Sequence, residues 1–205
     1  MAHRKDATPD RARKIDRIRG ILTDRGAPAV HLTSAVSLAW LFDGARTAVP
    51  LGGAPVFSAT VDEDGSVTVT ALANEIERLR DEEIMGDVAW REIPWHGALA
   101  EPAIEAVPEA DLATGLRDAR ADLLPAEMER YRALGADTAR AVSAVMRKAD
   151  PSWSERRLAG ELAAAAYSIG AEPGVLLAAG SSRGSVQHPI PTDALLGDRA
   201  MSVIT

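Results

Sequence analysis

Chemistry near neutral pH most often falls to histidine, and this sequence holds four: His3, His31, His96 and His188. His3 lies in a charged leader and His31 inside a strand pattern, so both read as structural. His96 follows Pro94 and Trp95 at a strand end, where an aromatic cluster more often packs than lines a cleft. His188 stands apart. It comes just after the small-residue loop Gly180-Ser181-Ser182-Arg183-Gly184-Ser185 and before Pro189 and Pro191, which are expected to hold the backbone extended. On pattern alone its role stays open between function and structure.

Other signals are weaker. The Gly180 loop looks like a phosphate cradle, but it lacks the Gly-Lys-Ser/Thr ending and does not lead into a helix pattern. Ser185, His188 and Asp193 could form a triad only on paper, because no nucleophile elbow precedes the serine. No His-x-x-x-His or His-Glu pair offers a metal nucleus, and the carboxylates fall in charge runs typical of solvated helix faces. With no cysteine, disulfides, thiol nucleophiles, Cys-type zinc sites and iron-sulfur clusters are excluded. No organic cofactor and no metal are therefore expected.

The elements that must position these residues follow from periodicity. Ile15, Ile18, Ile21 and Leu22 predict a first helix from about Asp10 to Arg25, stopped at Gly26, after a loose tail over 1–10. A strand over 29–32 comes next, then a Ser-capped apolar stretch from Ser34 to Phe42. Alternation predicts strands over 45–49, 56–61 and 67–71, the last two joined by an Asp-Glu-Asp-Gly turn. A polar helix start over 75–80 and a strand over 88–93 complete this α/β rhythm. From Ala100 to Pro125 the composition shifts to Ala, Glu, Asp and Pro, which reads as a connection with a short helix near 111–120. Beyond it, Met128, Tyr131, Leu134, Val142, Val145 and Met146 stripe a long helix over 126–148. Ser152-Trp153-Ser154-Glu155 reads as a capping box opening a helix to about Ile169. Strands over 175–178 and 200–204 flank the His188 segment.

The balance of 23 basic against 30 acidic residues, net charge -7, argues against nucleic-acid or anionic-membrane surfaces. Small or cationic partners fit better. A mass of 21.7 kDa and mean hydropathy of -0.07 describe a folded chain of one to two domains. No apolar run reaches the roughly 20 residues of a membrane span, and no secretory signal is visible, so a cytoplasmic location is expected.

From Leu124 onward the order of residues resembles a known family. Pro125-Ala126-Glu127-Met128 opening one helix, Trp153 to Ala159 opening another, the Gly170 stop and the strand-loop-His188 order are similar to the catalytic domain of Xaa-Pro aminopeptidases and creatinases, the pita-bread fold. Ala39-Trp40-Leu41-Phe42-Asp43-Gly44 resembles the aromatic motif of the small α/β domain that precedes it. The resemblance implies an α/β (α+β) chain: a creatinase-like amino-terminal domain over 11–115, then an incomplete pita-bread domain over 120–205. It also implies hydrolysis of a C–N bond in a small amide or peptide, with His188 as the active-site histidine and Trp40 as a substrate-binding aromatic reaching a neighbouring subunit, hence a homodimer. A core position is the alternative for Trp40. In the family's pattern Val203 falls where the first metal-binding Asp belongs, and the later His and Glu ligands have no counterpart. That departure implies a truncated chain without the dimetal site, inactive alone; the competing reading is a non-catalytic binding or dimerisation module.

Overall fold

The computed structural model describes residues 9–99, 101–102 and 104–205, and divides after Leu124 into two compact units. His3 and most of the expected tail lie outside the described residues. Pro9 and Asp10 already belong to helix α1 (Pro9–Arg25). Gly26 ends it at φ 66°, with its own N–H on the Thr23 carbonyl and that of Ala27 on Leu22, a left-handed stop that satisfies the last free carbonyls.

In the first unit, β1 (Ala29–Leu32), β2 (Phe57–Asp62), β3 (Val67–Leu72), β4 (Ala89–Ile93) and β5 (Val107–Pro108) form one mixed sheet in the order β4-β3-β2-β1-β5. β1, β2 and β3 are antiparallel neighbours, while β4 runs parallel to β3 and β5 parallel to β1. The β2–β3 turn closes on Gly65 at φ 92°, as the Asp-Glu-Asp-Gly run requires. Val30, Leu32, Phe57, Ala59, Val61, Val67, Val69 and Ala71 share one core with Ile18 and Leu22 of α1 and with Leu38 and Leu41 of helix α2 (Ala35–Leu41). Ser34 caps α2 by accepting from the Ser37 N–H.

Three local expectations change. No strand forms over 45–49. Gly44 at φ 96° and Asp43 at φ 58° break the chain just before it, and Val49 stands 70% exposed. The polar start at Ile76 runs as one short helix, α3 (Ile76–Arg78), continued by a π turn over Leu79–Glu83. The stretch read as a connection is part of the first unit. Helix α4 (Ala113–Ala121) follows a 3-10 turn and places Leu112 and Leu116 in the first unit's core, so residues past 115 do not leave that unit.

The second unit opens with two helices, α5 (Pro125–Lys148), a single uninterrupted rod, and α6 (Glu155–Ser168). Val142, Val145 and Met146 of α5 pack on Leu158 and Leu162 of α6, together with Ala178 and Leu196. The amino-terminal half of the apolar stripe stays exposed, with Tyr131 at 64%. β6 (Leu176–Gly180) and β7 (Ala200–Ile204) pair antiparallel, Leu177 opposite Val203. No helix among the described residues is long and apolar enough to cross a membrane.

Candidate functional site

His188 lies between β6 and β7, and the chain around it is hung from buried polar groups. Ser154, not Ser152, caps α6, accepting from the Arg157 N–H at 3.2 Å. That shift of two residues frees Glu155 from any capping box. Its carboxylate is wholly buried and accepts from the Gly180 N–H (3.0 Å), the Thr192 N–H (3.0 Å) and the Thr192 hydroxyl (2.7 Å), and it pairs with Arg183. Burial alone would push this carboxyl up, but these donors and the Arg183 charge outweigh it and hold Glu155 below the usual carboxylate range. One side chain thus ties α6 to the segments on both sides of His188. The free α6 amides of Glu155 and Arg156 donate to the carbonyls of Ala194 and Thr192, and Ala178 of β6 donates to Pro189. Gly180 is required here: a Cβ would stand 2.7 Å from the Leu196 Cα.

His188 itself is exposed and adopts φ 50°. The prolines after it do not hold it extended. The Pro189 carbonyl is fixed on β6, and the chain reaches that point through a left-handed residue, a conformation that costs a non-glycine residue about 1 kcal/mol or more. Asp43 is the other non-glycine residue with positive φ among those described. Ser185 is exposed, and Asp193 is engaged at 2.7 Å by Arg156, so the paper triad does not assemble.

The remaining candidates are placed as follows. Trp40 sits on α2 in the first core, the residue 9% exposed, with the Lys14 Nζ 5.7 Å from its ring centroid; that ammonium donates to the Trp40 carbonyl at 2.7 Å and to Asp43 at 2.6 Å. Trp95 and His96 meet edge to face at 5.3 Å on the surface, Trp95 being 71% exposed, so the expected packing cluster is solvated. His31 is 5% exposed on β1, its Nδ1 3.1 Å from the Thr60 hydroxyl of β2. Burial pulls its pKa down, with the charge of Arg91 adding to that and the Leu99 carbonyl and Glu109 opposing it.

No family model matches the chain, and no curated protein matches it. Solved structures do. A prolidase from Pyrococcus horikoshii OT3 aligns over 94% of this chain and 59% of its own, at 16% identity and TM-score 0.69. Dipeptidase PepE from Mycobacterium ulcerans aligns over 95% and 59%, at 18% identity and TM-score 0.65. An X-Pro aminopeptidase from Thermotoga maritima MSB8 aligns over 93% and 59%, at 14% identity and TM-score 0.61. The chain has the fold of the amino-terminal part of pita-bread peptidases, a creatinase-like α/β domain followed by part of a pita-bread domain, and it spans about three fifths of the length of these structures.

The dimetal centre of that fold family does not fit the residues present. Among the described residues no three His, Asp or Glu side chains converge on a point. Val203, which stands at the expected first ligand position, pairs with Leu177 and carries no electron pair to donate.

Proposed function

We propose that this chain carries the amino-terminal domain and the His188 loop of a hydrolase that cleaves a C–N bond in a small amide or peptide, akin to Xaa-Pro aminopeptidases and creatinases. The observation that carries this reading is His188: a histidine held at positive φ, exposed, on a segment whose two flanks, Gly180 and Thr192, are tied to the buried Glu155. Backbone strain of that kind is concentrated at working sites. In the reaction, water attacks the carbonyl carbon while its proton passes to a His188 ring nitrogen; the same proton then goes to the departing nitrogen as the C–N bond breaks. Val203 at the position of the family's first Asp ligand is what inclines this reading toward the creatinase rather than the peptidase end of the family. Trp40 is proposed to contribute to the substrate site through a homodimer, and the compartment is proposed to be the cytoplasm. The test is a substrate panel offered to the complete gene product: Xaa-Pro dipeptides and small carboxamides, each with and without added manganese. Metal-independent hydrolysis of a small amide is expected. Turnover that appears only with manganese would overturn the metal-free part of the reading, and no turnover of any member would overturn the whole.

A binding module is the second reading, favoured by a formed cleft in the first unit. The His188 loop is open to solvent, whereas that cleft counts the buried His31 and Ser37 among its lining residues.

A further inference from the structure

The first unit buries both faces of its sheet, and one of them is polar. His31 lies opposite Thr60, which lies opposite Thr68; Ser58 lies opposite Thr70, which lies opposite Arg91. His31, Ser58, Thr60 and Thr70 are 5%, 1%, 1% and 2% exposed. Two of the buried polar atoms on this face, His31 Nε2 and Thr70 Oγ1, have no hydrogen-bond partner among the described residues. Each such orphan costs about 1–3 kcal/mol, and native structures keep few of them without a reason.

His31 also borders a cleft of about 320 Å³. Pockets for small molecules begin near 300 Å³, so this one accepts a molecule of modest size. Its walls are half apolar, with Pro108 and Leu116 among them, and its charged members are Glu109 and Arg120. The two charges are in different states. Both Glu109 oxygens are taken by backbone N–H groups, Thr33 at 3.0 Å and Ser34 at 3.1 Å. Arg120 gives one N–H to the Ser37 hydroxyl at 3.1 Å, and no ion pair of its guanidinium within 4 Å is found among the described residues. A guanidinium with unused donors in a fixed fork selects a planar anion.

We propose that this cleft binds a small organic monocarboxylate, its carboxylate on Arg120 and its short apolar body against Pro108 and Leu116. The site is built from residues of the first unit and does not rest on the hydrolase reading. A carboxylate fits better than a phosphate, because a single arginine supplies the positive charge while Glu109 lies in the same wall.

The probes are sodium butyrate and N-acetylglycine, titrated into the 15N-labelled chain, with butyramide and inorganic phosphate as comparisons. Saturable shifts are expected for the amides of Thr33, Ser34, Ser37 and residues 109–120. Butyramide should bind at least about tenfold more weakly, and Arg120→Gln should lose butyrate by a similar factor. Because Arg120 is partly exposed, its variant keeps the fold, checked by unchanged spectra away from the cleft. The proposal is overturned by no saturable shift at these residues, by butyramide binding as well as butyrate, by undiminished binding to Arg120→Gln, or by phosphate binding more tightly than either carboxylate.

Discussion

The two units solve the same problem in opposite ways. The first spreads its stability over an apolar core fed by every element from α1 to α4, with buried polar groups on the far sheet face. The second has a small buried apolar cluster, Leu158, Leu162, Ala178 and Leu196, beside a wholly buried carboxylate, Glu155, that does what further apolar residues do elsewhere. A distributed core tolerates single losses. A hub concentrates the consequence of losing one residue, and here the hub holds the segments that flank His188.

The largest expected effect follows from that contrast. Glu155→Ala leaves Arg183 without its partner and the Gly180 and Thr192 donors unmet, which should cost about 4 kcal/mol. Hydrogen exchange resolved by residue should show protection lost throughout the second unit, from α6 to β7. Leu38→Ala in the first core should cost about 3 kcal/mol and leave the second unit's protection unchanged. Equal effects of Glu155→Ala and of Arg156→Ala on the second unit would erase the proposed difference between the units.

Acid should also separate them. Glu155 sits below its unfolded pKa, so its contribution is complete above roughly pH 4.3 and fades as pH falls further. His31 also sits below its unfolded value, but as a base: below roughly pH 6.5 the unfolded chain takes up a proton the folded one resists, and stability falls. Around its ring stand Thr60, Glu109, Arg91 and the Leu99 carbonyl. The first unit should therefore begin to weaken at higher pH than the second, a gap His31→Gln should narrow; denaturant midpoints followed by exchange against pH would show it. The smallest effect is expected from Arg156→Ala. Its pair with Asp193 is exposed on both sides, so the loss should stay below about 0.5 kcal/mol by thermal denaturation.

How much of this was legible in sequence depends on how local the cause is. The α1 stripe and its Gly26 stop, β1, the Gly65 hairpin and the α5 rod rest on periodicity and turn chemistry, which a single segment carries. The absent strand at 45–49 has the right alternation, and what defeats it is the break at Asp43 and Gly44 upstream. α4 looks like a connection because its composition is Ala-rich and polar; only burial of Leu116 by distant elements makes it core. Glu155 follows an N-cap, where acidic residues are usually solvated, and its donors come from Gly180 and Thr192, far along the chain. Nothing local marks it. His188 stood out because it ends a Gly/Ser loop, but its left-handed backbone follows from the Pro189 anchor on β6, which no neighbouring residue announces. His31 reads as a core residue, and it is one; the unmet nitrogen beside a cleft appears only once strands and α4 are assembled.

If His188 moves the proton in the proposed C–N bond hydrolysis, steady-state kinetics of His188→Ala in the complete gene product show it most directly. A general base acts in the transition state, so kcat should fall by about 10²–10⁴ while KM stays within a few fold of the parent. An unchanged kcat, or a loss confined to KM, would contradict the assignment.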